Sequence, residues 1–367
     1  IGIQVADNMR ALDLLCSMPY VDAANLGVTG GSGGGNQTMY LAAFDERIKA
    51  AVSVCSVGTF QSYVMGSNCI CETIPDGFDI CEESGVIASI APRAYAMFNG
   101  LYDEFSTFIP EEMLKTYTSA RQIYRMMGVE NNLQYRIFPT PHAYGTDALA
   151  NMLGFFCRYL KGEGTGEPRP LVDYRVMRSE EAMVYPKGKR PEKLKGILEY
   201  CAIRGETVRK MAAGLTETAR RKGLEKVLNC SPVRISNFSR GGYEDGWEKL
   251  VLMKSHGFPM PVLLRRSQNG NWRLLAAPYG KKQLAGLDYL QKALDSKDGL
   301  LLFDLFASGE TGTEYGNSNY WDYHNTGRTC FWLGWTLLGE WIRDYTAAAT
   351  WLRKQYEVKS ITSYGYK

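Results

Sequence analysis

The residues with the clearest chemical potential are Gly30-Gly31-Ser32-Gly33-Gly34. They follow the short apolar run Leu26-Gly27-Val28-Thr29 and precede the helix-forming stretch Gln37-Thr38-Met39-Tyr40-Leu41-Ala42-Ala43-Phe44. A strand, Gly-x-Ser-x-Gly and then a helix put the serine on a turn so sharp that its neighbours must lack side chains. The hydroxyl is then held out over the sheet edge as a nucleophile. The amide of Gly33, at the start of the helix, is placed to stabilise an oxyanion. A phosphate-cradling loop would instead need Gly-x-Gly-x-x-Gly with an acidic ribose contact, or a Gly-Lys-Ser/Thr ending. Here the loop runs into Gly35-Asn36-Gln37, and the first lysine is Lys49.

A serine hydroxyl needs a base within hydrogen-bond reach. The chain has three histidines, His142, His256 and His324, and only the first lies in the same part of the sequence as Ser32. It sits in Tyr135-Arg136-Ile137-Phe138-Pro139-Thr140-Pro141-His142, which reads as an apolar strand running into a loop. A third group must fix the imidazole tautomer. Ala94-Tyr95-Ala96-Met97-Phe98-Asn99-Gly100-Leu101-Tyr102-Asp103 reads as a strand ending in a glycine turn with an acid just beyond. Asp103 is therefore the candidate orienting acid. Glu104 is its nearest rival, and Asp147 is too close to His142 in sequence to serve comfortably.

The order Ser32, Asp103, His142, each at a strand end, is the triad order of α/β-hydrolases. Residues 20–160 resemble the carboxyl half of such a fold. They look most like the acetyl xylan esterase and cephalosporin deacetylase group and its dipeptidyl-peptidase-like relatives. The resemblance is carried by residues 21–32, Phe44-Asp45-Glu46-Arg47-Ile48-Lys49-Ala50-Ala51-Val52, Ala91-Pro92-Arg93 and Asn99-Gly100-Leu101-Tyr102-Asp103. It implies a serine esterase that removes small acyl groups, with carbohydrate esters the expected substrates and no cofactor or metal. One departure bears on the substrate: sugar deacetylases of this group usually have Gln after the nucleophile, and here Gly33 follows it. A dipeptidyl-peptidase-like enzyme is the alternative, and the adjacent pair Glu82-Glu83 is the only candidate clamp for a substrate amino terminus before residue 150. A non-catalytic hydrolase-like domain is a third reading.

At 367 residues, 45% hydrophobic and 22% charged, the chain has length and apolar content for one large globular unit or two ordinary ones. A net charge of +3 is too small to argue for nucleic acid or an anionic membrane, and no nucleic-acid partner is expected. No apolar run approaches the length of a membrane span. No leader is visible, and a secreted or periplasmic setting is weakly favoured over others. Of the nine cysteines, Cys69, Cys71 and Cys81 fall in one stretch without a nearby histidine, which favours a local disulfide to Cys81, with reduced thiols the main alternative, over a metal site.

The first 165 residues alternate helix (2–17, 35–44, 111–127, 146–160) and strand (26–31, 49–55, 94–99, 133–138), with a long irregular stretch at 56–90. This predicts a parallel sheet with helices on both faces. Residues 166–230 read as a linker followed by basic helices. Lys187 to Lys226 holds 12 Lys/Arg against 5 Glu, most simply a solvated face. Residues 231–367 read as a hairpin at 247–265, strands at 272–277, 299–304 and 360–364, and helices at 282–296 and 328–354. That is how an α/β-hydrolase begins. The run ending in Gly30-Gly31-Ser32 also matches the run ending in Gly365-Tyr366-Lys367 without a gap, so a helix-to-strand unit occurs twice. The expectation is the carboxyl half of one hydrolase domain followed by the amino half of a second, degenerate one. The expected sheets are separate. The alternative packs the two halves into one permuted sheet.

Overall fold

The computed structural model describes residues 1–66, 72–173, 175–185, 189–312 and 323–365. Its first sheet holds four parallel strands, β1 (Leu26–Gly31), β2 (Ile48–Val54), β3 (Ala94–Gly100) and β4 (Leu133–Phe138), in the order β1-β2-β3-β4. Helices cover both faces, which is why β3 is buried along its whole length and reads as a continuous apolar run rather than an alternating one. Alternate residues still go to opposite sides. Ala51, Tyr95 and Met97 join a core with helices α1 (Gly2–Cys16), α2 (Gly33–Phe44) and, further on, Met113, Ala120 and Tyr124. Ala50, Val52, Val54, Ala96 and Phe98 pack on the other face against Ala148 and Phe155.

The stretch 56–90 is not irregular throughout. It contains three short helices, α3 (Phe60–Met65), α4 (Gly77–Ile80) and α5 (Glu83–Ala88). Helix α6 (Pro110–Met126) starts with proline at its first position, where the missing N–H costs nothing, and Glu111 and Glu112 follow in its first turn. Helix α7 (Thr146–Phe156) continues through a single π turn, Cys157–Lys161, which Gly162 ends at φ 70°. Cys81 carries a free thiol packed against Gly85, where an added Cβ would meet its Sγ at 3.3 Å. Cys69 and Cys71 lie outside the described residues.

Helix α8 (Ser179–Ala182) is short, and α9 (Ile197–Ala213) and α10 (Glu217–Leu228) bury none of their residues. The second sheet follows, with six strands: β5 (Ile235–Glu244), β6 (Trp247–Lys254), β7 (Met260–Arg265), β8 (Asn271–Ala276), β9 (Gly299–Phe303) and β10 (Ser360–Gly365). Their order is β10-β8-β9-β7-β6-β5, with β10, β8 and β9 mutually parallel and the rest antiparallel. Thus β1 and β9 lie in different sheets. The hairpin begins one strand earlier than its sequence suggests. Strand β5 turns into β6 through Asp245 and Gly246, both at positive φ (48° and 84°), which suits Asp-Gly and matches the twist of the paired strands. Helix α11 (Asp288–Leu294) is shorter than expected, because Lys281–Leu284 forms a separate 3-10 turn.

The single helix expected over 328–354 is two, α12 (His324–Trp332) and α13 (Leu337–Gln355). Gly334 takes φ 69°, and an added Cβ there would lie 2.3 Å from Asp76 Oδ1. Thr336 then caps α13, accepting a hydrogen bond from the Gly339 amide at 2.9 Å. The break divides the run Phe331, Trp332, Trp335, Leu338, Trp341, Ile342 and Tyr345, whose three- and four-residue steps predict one core-facing helix side. Trp332 leaves the second core to pack with Phe60, Tyr63 and Phe108, while Trp341 and Tyr345 stay against the second sheet. Arg328 donates to the carbonyls of Tyr63 and Gly66, so α12 is held to the carboxyl end of α3. His256 is exposed in the turn between β6 and β7, away from any elbow.

Candidate functional site

Ser32 is the residue between β1 and α2. Its backbone lies at φ 55° and ψ −125°, a region that non-glycine residues occupy only when the surroundings impose it. Two close approaches impose it here. A Cβ on Gly30 would lie 2.4 Å from the Gly34 carbonyl oxygen, and one on Gly35 would lie 2.1 Å from Ser56 Oγ. Gly34, the second glycine of the motif, faces open space, with nothing within 4 Å of an added Cβ. The close contact behind the elbow therefore belongs to Gly35, one residue later than the motif implies. The Ser32 amide donates to Val54 O at 2.8 Å, tying the elbow to β2. Gly33 is the first residue of α2, so its amide has no acceptor within the helix and remains available to an oxyanion.

His142 and Asp103 come together at the ends of β4 and β3. His142 Nδ1 lies 2.8 Å from Asp103 Oδ2. With Asp103 ionised, Nδ1–H donates to it and Nε2 is left as the proton acceptor. Asp103 is itself oriented, since its Oδ1 accepts from the Phe105 amide at 3.0 Å. The rings of Phe105 and Phe108 flank the imidazole at centroid distances of 4.8 and 5.6 Å. The hydrogen bond that His142 donates to Asp103 raises the His142 pKa above the ordinary histidine value, and burial works against it. Glu104 has a different job: its Oε2 accepts from the His142 backbone amide at 3.1 Å. Asp147 is exposed in the first turn of α7. Ser32 Oγ makes no hydrogen bond among the described residues, so serine and histidine are brought to one end of the sheet without being bonded.

Gly100 explains how the histidine loop reaches the acid. An added Cβ there would sit 2.5 Å from the carbonyls of Thr140 and Pro141, which cross directly over it. Leu101 and Tyr102 donate backbone hydrogen bonds to Phe138 O and Thr140 O, clasping the two loops together. Tyr144 is a positioning residue not foreseen from the sequence. Thr29 Oγ1 donates its one proton to Val52 O at 2.8 Å, so the 2.7 Å contact with Tyr144 must have the tyrosine as donor. The Tyr144 ring also covers Gly31. The loop carrying His142 is thereby fastened to the strand carrying Ser32.

A cavity of about 220 Å³ opens beside Gly33 and Gly34, with Asn36, Gln37, Tyr40 and Glu72 on its walls. The pair Glu82-Glu83 does not face it as a clamp. Glu82 accepts from the Phe60 and Glu83 amides, and the fully buried Glu83 accepts from the Gly58 amide at 3.0 Å. Burial pushes the Glu83 carboxyl well above the usual range.

Residues 2–73, from α1 through the elbow to the segment after α3, match the model of the prolyl oligopeptidase family. No curated protein matches the chain. Among solved structures, a carbohydrate esterase family 15 glucuronoyl esterase from Caldicellulosiruptor kristjansonii is similar at 21% identity and a TM-score of 0.39, over 47% of this chain and 53% of that one. The glucuronoyl esterase catalytic domain from Hypocrea jecorina is similar at 18% identity and a TM-score of 0.36, over 47% and 54%. A methylesterase is similar at 23% identity and a TM-score of 0.36, over 45% and 38%. The chain spans about half the length of these structures or less. In its first sheet a strand, a sharp serine turn and a helix are followed by Asp103 on the loop after β3 and His142 on the loop after β4.

Proposed function

We propose that residues 1–165 are the catalytic half of a serine hydrolase that cleaves small acyl esters, with acetylated carbohydrate the favoured substrate class. The observation that carries this reading is the 2.8 Å His142–Asp103 pair at the same sheet end as a serine held at φ 55°. Ser32 attacks the ester carbonyl while His142 Nε2 takes its proton. His142 then returns the proton to the departing alcohol, and Asp103 stabilises the imidazolium formed between these steps. The Gly33 amide donates to the tetrahedral oxyanion, and the cavity beside Gly33 and Gly34 receives the acyl group.

On this reading residues 166–230 are a linker, and residues 231–367 are the first half of a second, degenerate hydrolase domain. The parallel unit of α13 and β10, repeating that of α1 and β1, supports this division. The second oxyanion donor belongs to a loop after a strand beside β1, the place that 277–280 holds after β8 in the second sheet. Hydrolysis of p-nitrophenyl acetate by the whole chain tests the proposal. Replacement of a triad member costs on the order of 10⁴ to 10⁶ in turnover, so Ser32→Ala retaining more than about a tenth of wild-type activity ends it.

The match of residues 2–73 to the prolyl oligopeptidase family supports a second reading, hydrolysis of peptide bonds by the same triad. The inward-facing Glu82 and Glu83 weigh against a clamp of that kind for a substrate amino terminus. Release of product from aminoacyl-proline anilides, with none from acetylated sugars, selects the peptidase.

A further inference from the structure

Next to the His142–Asp103 pair lies a thiol with no part in the hydrolytic scheme. Cys55 follows β2 at φ 47°, is 2% exposed, and is held by its amide, which donates to Phe98 O at 2.7 Å. Its Sγ, a carboxylate oxygen of Asp103 and a ring nitrogen of His142 all lie within 4.8 Å of one another. This is the one group of three such donors found among the described residues. Three different strands deliver them, β2, β3 and β4, so the cluster is a product of the fold and not of local sequence.

We infer that Cys55, Asp103 and His142 form an inhibitory site for a thiophilic divalent cation, zinc(II) in particular. The inference rests on His142 being the catalytic base. Tetrahedral zinc holds thiolate at about 2.3 Å and imidazole or carboxylate at about 2.0–2.2 Å. Its ligand atoms therefore lie roughly 3.2–3.7 Å apart. The Nδ1–Oδ2 distance of 2.8 Å must open by about half an ångström, and the thiol, within 4.8 Å of both, must close by at most about 1.1–1.6 Å. Side-chain rotation supplies both. Hard cations such as magnesium prefer all-oxygen shells and do not suit this donor set.

The charge balance favours the bound state. Zinc releases one proton to solvent, that on Sγ, which in the free protein points to Ala143 O at 3.6 Å, while the ring proton shifts from Nδ1 to Nε2 and the imidazole stays neutral. One cation then sits between a thiolate and a carboxylate, so the buried cluster is neutral, whereas an unpaired buried charge would be costly. The consequence for catalysis follows from tautomerism. A metal on Nδ1 leaves the imidazole proton on Nε2, and that nitrogen can no longer accept the proton of Ser32.

The test uses the whole chain, cobalt(II) alone as a spectroscopic probe, and zinc(II) alone as inhibitor. The variants are Cys55→Ser, which keeps a donor toward Ala143 O, and Cys55→Ala as a second replacement. Both leave the triad unaltered, and circular dichroism checks their folding. Wild type should show a thiolate-to-cobalt charge-transfer band that both variants lack. Zinc should inhibit wild-type hydrolysis, with the zinc needed rising roughly 10- to 100-fold or more in either variant, since losing a direct ligand costs at least what losing an outer-shell partner does. A band that persists in both variants places cobalt on other cysteines and overturns the inference, as does an active wild type indifferent to zinc. A Cys55-dependent band in a protein without esterase activity retains the metal site and rejects the esterase reading.

Discussion

The glycines of the elbow can be separated by a single methyl group. Gly30→Ala places a Cβ 2.4 Å from Gly34 O, and 3.0 Å is the least a real Cβ tolerates, so backbone must move by at least about 0.6 Å. No flexible side chain is available to absorb this, and overpacking of that kind costs about 1–3 kcal/mol. At about 2–4 °C per kcal/mol for a unit of this size, Tm should fall by roughly 2–12 °C. Misplacing a reacting group by 1 Å costs on the order of 10²-fold, so a shift of 0.6 Å or more at the elbow should cost on the order of tenfold in kcat. Gly34→Ala should act in the opposite sense. It meets nothing within 4 Å inside α2, and alanine exceeds glycine in a helix by roughly 0.5–1 kcal/mol, which raises Tm by about 1–4 °C. Gly35→Ala should resemble Gly30→Ala, but its obstacle is mostly the Ser56 side chain, at 2.1 Å for Oγ and 2.6 Å for Cβ. Adding Ser56→Gly should therefore restore much of the loss at Gly35 and none of the loss at Gly30. Thermal unfolding and p-nitrophenyl acetate turnover for the four single variants and two double variants provide the readout. Equal losses in Gly30→Ala and Gly34→Ala, or no rescue of Gly35→Ala, would refute the packing argument.

Two further outcomes follow from the electrostatics. His142 acts as base only when neutral, and Asp103 raises its pKa, so the acid limb of kcat/KM should lie above the ordinary histidine value of about 6.5. Asp103→Asn removes the largest upward influence and leaves burial opposed only by the charges of Glu104 and Glu72, so NMR of the ring protons should show the His142 titration moving to lower pH while kcat falls on the order of 10⁴-fold. In the second sheet, Lys254 Nζ lies 2.5 Å from Asp344 Oδ1, both side chains are almost fully buried, and Asp344 Oδ2 accepts from the Phe306 amide at 2.6 Å. Lys254→Met alone strands a buried carboxylate and should cost about 3–5 kcal/mol in a denaturant titration, whereas Lys254→Met with Asp344→Leu should recover most of it.

The candidate site was legible because each of its residues sits where a local pattern changes. Ser32 interrupts glycines between an apolar run and a helix, Asp103 follows a glycine turn, and His142 follows an apolar strand. What surrounds them was not legible. Tyr144 meets Thr29, and Cys55 meets Asp103, only because β1, β2, β3 and β4 are paired in a particular register, and no short window of sequence contains that register. Strand β5 was missed for another reason. It is an edge strand with no fully buried residue, so Ile235–Glu244 lacks the alternation that marks a half-buried strand. The break between α12 and α13 did leave a signal, Gly334 followed by Thr336, but the aromatic spacing across it suggested one continuous face. Trp332 satisfies that spacing while packing on a different core from Trp341.

The two sheets are best understood through the element they share. Strand β1 follows α1 and pairs with β2, whereas β10 follows α13 and pairs with β8. Each repeat therefore has a neighbour on one side, and the two neighbours are different. A parallel edge strand leaves one row of amides and carbonyls without ladder partners, a liability that folds generally cover. If β1 and β10 are the same unit, the neighbour that β10 has is the kind of neighbour that the open edge of β1 accepts. The loop at 277–280, immediately after β8, shows where such a neighbour delivers its backbone amides: toward the end of the strand where, in the first sheet, Ser32 and Gly33 stand. On the proposed reading, the two halves together correspond to one complete sheet, and the edge of β1 is where a second oxyanion donor would enter. Absence of that donor lowers turnover by roughly 10² to 10³ without disturbing the serine, histidine or acid. On the proposed reading, this second donor is separable from Ser32, Asp103 and His142, because a different strand would deliver it.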